Sequence, residues 1–280
     1  MDLKELAKLT RFEHALMLAF AVLIAETVVL GSFPLLSMAI VLSLFVPVFS
    51  EMGAFAMNDY FDIETDRLNK KTERPLVKGT ISPTFALYFS ITAIILSTVM
   101  AYFINSIAFI IALVFNLLAV AYNLKLKDIM LMGNIYIGLT MAIPFIFGNF
   151  VVSETLSLLA VVLALLGFIA GLAREIVKSV QDMEGDVKAR SSKTLPVVIG
   201  KKRSLVVAVV LYLLFIPLSI SPFLLGLQVS AVPAVLVGVA DLIILLVCYN
   251  ILTRQAFGFA RNASLVAFIL GMAGLFLASF

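Results

Sequence analysis

Nine apolar runs, separated by shorter polar segments, occupy most of this chain of 280 residues. They lie near residues 15–31, 35–57, 84–104, 107–122, 134–152, 156–176, 204–222, 229–249 and 262–280. A helix of roughly 20 predominantly apolar residues is long enough to cross a bilayer. The pattern therefore predicts an all-α, multi-pass membrane bundle of nine transmembrane helices.

The composition excludes a soluble globular protein. Hydrophobic residues make up 62% of the chain and charged residues 13%, which leaves too little polar surface to cover a soluble globule. The apolar runs continue to the end of the sequence, so removal of a signal peptide would not leave a soluble remainder. The single cysteine, Cys248, lies in an apolar run, which excludes a disulfide or a cysteine metal site within one chain. We expect one domain over residues 1–280.

The distribution of basic residues predicts how the bundle is oriented. If the nine runs cross the membrane, all 20 Lys and Arg residues fall at one face. Because cytoplasmic loops are enriched in Lys and Arg, we expect the amino terminus and the charged loops in the cytoplasm and the carboxyl terminus outside. The net charge of +3 does not indicate a nucleic-acid partner, since the basic residues are not gathered with exposed aromatic residues on a soluble surface.

The first of two acidic runs follows the second apolar run. Asn58, Asp62 and Asp66 are spaced i, i+4 and i+8, so they share a face if the helix continues out of the membrane. Carboxylates stacked in this way repel one another unless a cation lies between them. Hard divalent cations prefer such oxygen ligands. The run therefore predicts part of a divalent metal site.

The second acidic run follows the sixth apolar run and contains Asp182 and Asp186, again at i, i+4. Four crossings separate the two runs, so they emerge on the same side, can form one site, and indicate an internal repeat of about four helices. Mg²⁺ is typically held by one or two carboxylates while it bridges phosphate oxygens. The alternative is a solvated acidic face paired with nearby basic residues. This is the weaker interpretation, because two acidic runs occur at matching positions of the repeat.

Basic residues close to the acidic runs are candidates for binding an anionic group. Arg forms forked contacts with phosphate, and Lys acts as a point charge. The candidates are Arg67, Arg74, Lys78, Lys127, Lys178 and Lys193. The alternative for most basic residues is that they only fix the topology.

Three separated segments resemble motifs of the UbiA superfamily of membrane prenyltransferases. Residues 58–79, NDYFDIETDRLNKKTERPLVKG, resemble the NDxxDxxxD signature together with its downstream RP and KG. Residues 174–200, REIVKSVQDMEGDVKARSSKTLPVVIG, are similar to the second aspartate motif with its following TLP and Gly. Residues 122–127, YNLKLK, are similar to the YSxxLK loop and are followed by Gly133 and Asn134. The three motifs occur in the family's order, and the resemblance spans all nine runs.

The resemblance implies a helical bundle around a cavity that opens sideways to lipid, with Mg²⁺ holding the diphosphate of an isoprenyl donor between the acidic motifs. The implied metal ligands, which include the expected catalytic carboxylates, are Asn58, Asp62, Asp66, Asp182 and Asp186. The residues implied to contact the diphosphate or shape the site are Arg67, Lys78, Tyr122, Lys127 and Lys178. Family members often have Asp where this chain has Ser179, so the ligand set of the second motif stays open.

The implied function is transfer of an isoprenyl chain from a polyprenyl diphosphate to a lipid-soluble acceptor within the cell membrane. Residues 58–79 resemble most the branch that alkylates geranylgeranylglyceryl phosphate in archaeal ether-lipid synthesis, which is slightly favoured. Residues 11–14, RFEH, are instead similar to the branch that prenylates aromatic quinone precursors, and this alternative stays open. A phosphorylated acceptor would need cations beyond those for the diphosphate; the candidates are Arg74, Lys125, Arg190 and Lys193.

Ionisable residues also lie inside the apolar runs, where they are costly and often functional. Glu51 is seven residues before Asn58, two helical turns deeper on roughly the same face, which suits a catalytic base or an acceptor-orienting group. A protonated, hydrogen-bonded structural carboxyl is the alternative for Glu51 and the favoured interpretation for Glu26 and Asp241. His14 immediately precedes the first run and is either an acceptor contact or a polar anchor.

An ion-coupled transporter is a remote alternative, because internal repeats and intramembrane acids also occur in transporters. Against it, the acidic runs cluster at one end of the predicted bundle and not at the membrane midplane. The apolar runs also lack paired Gly and Pro interruptions.

Overall fold

The structure, a computed structural model, describes residues 2–190 and 193–280, without the side chains of residues 189 and 190. Within these ranges the chain forms helices and no strand. In chain order they are α1 (Leu3–Thr10), α2 (Phe12–Leu30), α3 (Met38–Phe61), α4 (Ile63–Leu68), α5 (Pro75–Lys78), α6 (Pro83–Tyr102), α7 (Ser106–Leu124), α8 (Met132–Val152), α9 (Leu158–Arg190), α10 (Leu195–Ile199), α11 (Lys201–Leu224), α12 (Ala231–Thr253) and α13 (Phe257–Leu277).

Nine helices of the described residues are long and apolar enough to cross a membrane, namely α2, α3, α6 to α9 and α11 to α13. They coincide with the nine predicted runs, so the predicted fold class is confirmed. Several begin at a polar cap: the side chains of Ser37, Ser82 and Asn105 accept the backbone N–H three residues later. Gly31, in the left-handed conformation with φ 65°, ends α2.

The helices of the bundle pack closely where small residues meet. Extensive contacts join α3 with α6, α8 with α9, α12 with α13, α9 with α11, and α2 with α8. A Cβ at Gly148 would collide with the backbone of Val22, and one at Gly167 would collide with the backbone of Met141. Small residues allow such close backbone approach between membrane helices. The α2–α8 and α8–α9 contacts therefore depend on glycine.

Two of the predicted intramembrane acids have serine partners inside the bundle. The Ser43 hydroxyl donates to Oε1 of Glu26 at 2.5 Å, and the Ser219 hydroxyl donates to Oδ2 of Asp241 at 2.8 Å. Buried polar groups are normally paired in this way. These contacts agree with the structural interpretation that the sequence favours for both residues.

The acidic runs differ from the sequence expectation in their local structure. The helix is not unbroken from Asn58 to Asp66: α3 ends at Phe61, and Asp62 has φ −100° and ψ 7° at the junction with α4. Helical hydrogen bonds nevertheless cross the junction, from the Asp62 N–H to the Asn58 carbonyl (2.9 Å) and from the Asp66 N–H to the Asp62 carbonyl (2.7 Å). The second run, which follows the sixth apolar run in the sequence, lies on the same helix as that run, because α9 continues to Arg190.

Candidate active site

The two acidic runs line one cavity at the same end of the bundle. This polar cavity has a volume of about 610 Å³, its open mouth included. Its lining contains every residue of the predicted metal set, namely Asn58, Asp62, Asp66, Asp182 and Asp186. It also contains four of the predicted anion-binding residues, Arg74, Tyr122, Lys127 and Lys178. The fold therefore brings together residues that are more than 100 positions apart in the sequence.

Lys71 joins the two acidic runs. Its Nζ lies 3.5 Å from Oδ1 of Asp66 and 3.0 Å from Oδ2 of Asp182. The chain reaches this position because Lys70 adopts a left-handed conformation (φ 56°) after α4, and the N–H of Lys71 then donates to the Asp66 carbonyl. Lys71 is a site residue that the sequence reasoning missed, since nothing in the sequence distinguishes it from Lys70.

A second cation contacts the middle carboxylate of the first run. Nζ of Lys127, in the short 3₁₀ turn Leu126–Asp128, lies 2.5 Å from Oδ1 of Asp62. Nδ2 of Asn58 donates to the other oxygen of Asp62 at 3.0 Å and to Oδ1 of Asn123 at 3.1 Å. The asparagine of the first acidic motif therefore links that run to α7, which precedes the Lys127 turn.

Arg74 neutralises two buried carboxylates. Its Nη1 lies 2.6 Å from Oδ1 of Asp59 and 2.5 Å from Oδ2 of Asp66. Nη2 of Arg11 lies 3.3 Å from the same Asp59 oxygen. Burial raises the pKa of Asp66, and the positive charges of Arg74 and then Lys71 oppose that rise. Arg74 therefore forms ion pairs with buried carboxylates of the protein, although it also lines the polar cavity.

Three predicted anion-binding residues lie outside the lining of the polar cavity. Arg67 pairs with exposed Glu64 at 2.7 Å, because it directly follows Asp66 on α4 and projects about 100° away around the helix. Lys78 and Lys193 are exposed. Among the further candidates for an acceptor phosphate, Lys125 is also exposed, and the side chain of Arg190 lies outside the described residues.

The polar cavity has further lining residues that were not singled out as site residues. They are Thr65, Gly133, Asn134, Glu175, Ser179 and Thr194. Nδ2 of Asn134 donates to Oγ of Ser179 at 2.8 Å. The residue that departs from the family pattern is therefore held at the cavity wall by the asparagine that follows the YNLKLK segment. The position of Asn134 within that motif region is the sequence signal that could have identified it.

Two apolar cavities lie within the bundle. The narrow apolar cavity, of about 560 Å³, is lined by residues that include Val46, Phe115, Tyr136 and Phe147. The wide apolar cavity, of about 1060 Å³, is enclosed by α2, α3, α8, α9 and α11 to α13. Both volumes include the open mouths. Glu51 lines both apolar cavities and is absent from the lining of the polar cavity, so the structure separates it from the acidic runs.

A pair of tyrosines lies between the polar cavity and the narrow apolar cavity. The rings of Tyr122 and Tyr136 stack with centroids 4.8 Å apart and an interplanar angle of 27°. Tyr122 lines the polar cavity and Tyr136 lines the narrow apolar cavity. The pair therefore forms an aromatic boundary between a charged compartment and an apolar one.

The chemistry of the polar cavity fits a small hard cation that is shared with a phosphate group. Lys71 contacts one carboxylate of each acidic run, so a single compact cation can reach both runs. Within residues 2–190 and 193–280, no three His, Cys, Asp or Glu side chains converge closely enough to hold a metal ion by themselves. Mg²⁺ commonly takes only one or two carboxylates and completes its shell with water and phosphate oxygens. The donor set therefore suits Mg²⁺ better than a cation that needs a dedicated protein cage.

Comparison with known proteins agrees with this arrangement. The UbiA prenyltransferase family matches residues 15–256. A digeranylgeranylglyceryl phosphate synthase from Archaeoglobus fulgidus is 36% identical, over 99% of this chain and 96% of that protein. One solved structure concerns digeranylgeranylglyceryl phosphate synthase in membranes. It has 31% identity to this chain and a TM-score of 0.72, and the match covers 99% of this chain and 96% of that one.

A more distant solved structure shares the fold. It is a UbiA homologue from Archaeoglobus fulgidus bound to GPP and Mg²⁺, with 22% identity and a TM-score of 0.71 over 98% of this chain and 99% of that chain. The nine membrane helices, the three motifs and the family match lead to one conclusion. This chain belongs to the UbiA prenyltransferase family and is a multi-pass membrane prenyltransferase.

Proposed function

We propose that this chain transfers a geranylgeranyl group from geranylgeranyl diphosphate to geranylgeranylglyceryl phosphate, in a reaction that requires Mg²⁺. The observation that carries the proposal is the full-length similarity, at 36% identity, to a protein named digeranylgeranylglyceryl phosphate synthase. A polar cavity beside two apolar cavities supports it, because both substrates combine an anionic head with a long apolar chain. Prenylation of an aromatic quinone precursor becomes the outcome that would contradict it.

In this proposal the polar cavity binds the donor diphosphate. The residues that would hold Mg²⁺, directly or through water, are Asn58, Asp62, Asp66, Asp182 and Asp186, and a bound ion would supply positive charge to the diphosphate. The ammonium groups of Lys71, Lys127 and Lys178 line the same cavity and supply further charge to the leaving group. Such fixed charges stabilise the diphosphate as negative charge develops on it during departure.

The aromatic boundary is suited to the carbon end of the donor. The C1–O bond of the donor breaks with its electron pair leaving on diphosphate, so C1 acquires allylic cation character. The faces of the stacked Tyr122 and Tyr136 rings stabilise such positive charge. The apolar side chains beyond Tyr136 exclude water, which would otherwise capture the cation.

Glu51 is suited to accept the proton of the acceptor. The acceptor hydroxyl oxygen forms the new ether bond to C1 and loses its proton. Glu51 lines both apolar cavities, and no side chain or backbone N–H of residues 2–190 or 193–280 donates a hydrogen bond to its carboxylate. A carboxylate in such surroundings is a competent general base for a weak hydroxyl nucleophile. These features support Glu51 as the proton acceptor in the proposed reaction.

A product assay tests the proposed function. Purified protein is incubated with Mg²⁺ and labelled geranylgeranyl diphosphate, and with geranylgeranylglyceryl phosphate or an aromatic acid in separate reactions. The expected product, identified by mass, is digeranylgeranylglyceryl phosphate. A prenylated aromatic acid with no reaction of geranylgeranylglyceryl phosphate would contradict the proposed acceptor and leave the family assignment intact.

Metal removal tests the proposed cofactor. EDTA is expected to abolish turnover and added Mg²⁺ to restore it. Ca²⁺ should restore little, because it is larger and prefers six to eight ligands in a looser geometry. Turnover that is indifferent to chelation would contradict the Mg²⁺ requirement.

We further propose that the polar cavity faces the cytoplasm. The Lys and Arg residues lie at the end of the bundle that carries this cavity, whereas the turn 153–157 at the opposite end contains Glu154 and no basic residue. The positive-inside rule then gives the orientation, with the amino terminus in the cytoplasm and the carboxyl terminus outside.

A further inference from the structure

A phosphorylated acceptor brings a second anion into the site. Of the cations that the sequence predicts for this anion, those that the structure describes do not line either apolar cavity. Arg74 is committed to Asp59 and Asp66, and Lys125 and Lys193 are exposed outside the three cavities. An acceptor whose chain occupies an apolar cavity needs its phosphate bound at the wall of that cavity. The described residues of the wide apolar cavity include one positively charged side chain, Arg174.

Arg174 lies on α9 one helical turn before Lys178. Its side chain lines the wide apolar cavity, whereas Lys178 lines the polar cavity. The Nε atom of Arg174 is buried and has no hydrogen-bond partner among the described residues. A buried donor nitrogen without a partner is costly inside a membrane bundle, and an ionisable residue there is a functional candidate by default. Its missing partner is an acceptor of hydrogen bonds.

His14 faces the same cavity from α2. Its Nδ1 is also buried without a hydrogen-bond partner, although Oε1 of Glu13 lies 3.5 Å away. The imidazole packs edge-on against Phe55, with ring centroids 5.8 Å apart. Arg174 and His14 therefore line the same apolar cavity, and each has a buried nitrogen without a hydrogen-bond partner among the described residues.

We propose that Arg174, assisted by His14, binds the phosphate monoester of the acceptor at the wall of the wide apolar cavity. This anion site is distinct from the diphosphate site, and the inference rests on the proposed function. A guanidinium forms forked hydrogen bonds with phosphate. Arg174 and Lys178 lie about 6 Å apart along the axis of α9, so the two anion sites would lie on adjacent turns of that helix. The acceptor chain then fills the cavity that Glu51 also lines.

The test compares Arg174→Gln with the unchanged protein on two acceptors, geranylgeranylglyceryl phosphate and its dephosphorylated form, geranylgeranylglycerol. Arg174→Gln should raise the KM for the phosphorylated acceptor by about tenfold, equivalent to 1.4 kcal/mol. The kinetics with geranylgeranylglycerol and the KM for donor should change little. The preference for the phosphorylated acceptor should therefore collapse.

Arg261→Gln is the matched control. Arg261 also has a buried Nε without a partner, but its Nη1 donates to Gln181 at 3.1 Å and it lines none of the three cavities. The control should keep the preference for the phosphorylated acceptor. Arg174→Lys retains the charge without the fork and should give an intermediate preference, which provides a second variant if Arg174→Gln folds poorly.

Thermal stability in detergent gives a readout that does not depend on turnover. Geranylgeranylglyceryl phosphate should raise the melting temperature of the unchanged protein and of Arg261→Gln, and should lose this effect in Arg174→Gln. Three results for Arg174→Gln would each overturn the inference. They are an equal loss of activity with both acceptors, a raised KM for donor in place of acceptor, and a ligand-induced melting shift as large as that of the unchanged protein. If the unchanged protein prenylates only an aromatic acid, the proposed function itself fails. If the unchanged protein uses geranylgeranylglyceryl phosphate and Arg174→Gln leaves its preference unchanged, only the inference about Arg174 fails.

Discussion

Asp182 is the residue at which the two acidic runs meet, since Lys71 bridges it to Asp66. We predict that Asp182→Asn reduces turnover by at least about 100-fold, because in the proposed site Asp182 is a metal ligand and loss of its charge would weaken both Mg²⁺ and diphosphate binding. The fold should survive, since the Asp182 side chain faces a polar cavity and contributes little to helix packing. Turnover at saturating donor and the melting temperature in detergent measure the two effects.

Glu184→Gln is the control for that substitution. Glu184 is on the same helix, two residues away, and is exposed outside the lining of the polar cavity. Glu184→Gln removes the same negative charge as Asp182→Asn and should retain near-normal turnover. Comparable activity of the two variants would contradict the assignment of Asp182 to the metal site.

Arg74 has a different predicted effect, on stability. Arg74→Gln leaves Asp59 and Asp66, whose side chains are 3% and 2% exposed, without their strongest cation. Removal of one partner from a buried ion pair typically costs about 3–5 kcal/mol. We expect a large fall in melting temperature, whereas Arg67→Gln, which breaks only an exposed pair with Glu64, should change it little. Equal melting temperatures for the two variants would show that Arg74 is not structurally important.

At the scale of the helices, the sequence predicts most of what the structure contains. Nine apolar runs predict the spans because a membrane-spanning helix needs about 20 predominantly apolar residues. The i, i+4 spacing of the acids predicts a shared face because backbone hydrogen bonds persist through the break at Asp62. The position of Lys71 could not be predicted, since it depends on the left-handed turn at Lys70 and on contact with α9. The separation of Glu51 from the acidic runs likewise arises only from packing of the helices.

The α8–α9 contact offers a prediction at the same scale. A Cβ on Gly167 would lie far inside contact distance of the Met141 carbonyl oxygen, and backbone atoms cannot move aside as a flexible side chain can. Gly167→Ala should therefore force the two helices apart and destabilise the protein by about 1–3 kcal/mol. Gly238→Ala is the control, because a Cβ there meets nothing within 4 Å. Loss of melting temperature in Gly167→Ala alone is the expected result, and equal values would contradict the close packing.

At the scale of the whole molecule, orientation in the membrane can be tested with single cysteines. Cys248 is buried at 5% exposure, so Cys248→Ala gives a cysteine-free background with little change at the surface. Lys202→Cys places a thiol at the start of α11, on the end of the bundle that carries the polar cavity. Glu154→Cys places one in the turn between α8 and α9 at the opposite end. Both positions are exposed.

The proposed orientation predicts opposite labelling of these two thiols by a membrane-impermeant maleimide. Glu154→Cys should react in intact bacterial spheroplasts that express the protein, whereas Lys202→Cys should react only after the membrane is permeabilised. The physical reason is that the Lys- and Arg-rich loops stay on the cytoplasmic side during insertion. Turnover of each variant shows that the labelled protein is folded. Labelling of Lys202→Cys in intact spheroplasts would place the polar cavity outside, and its diphosphate donor would then have to cross the membrane before reaction.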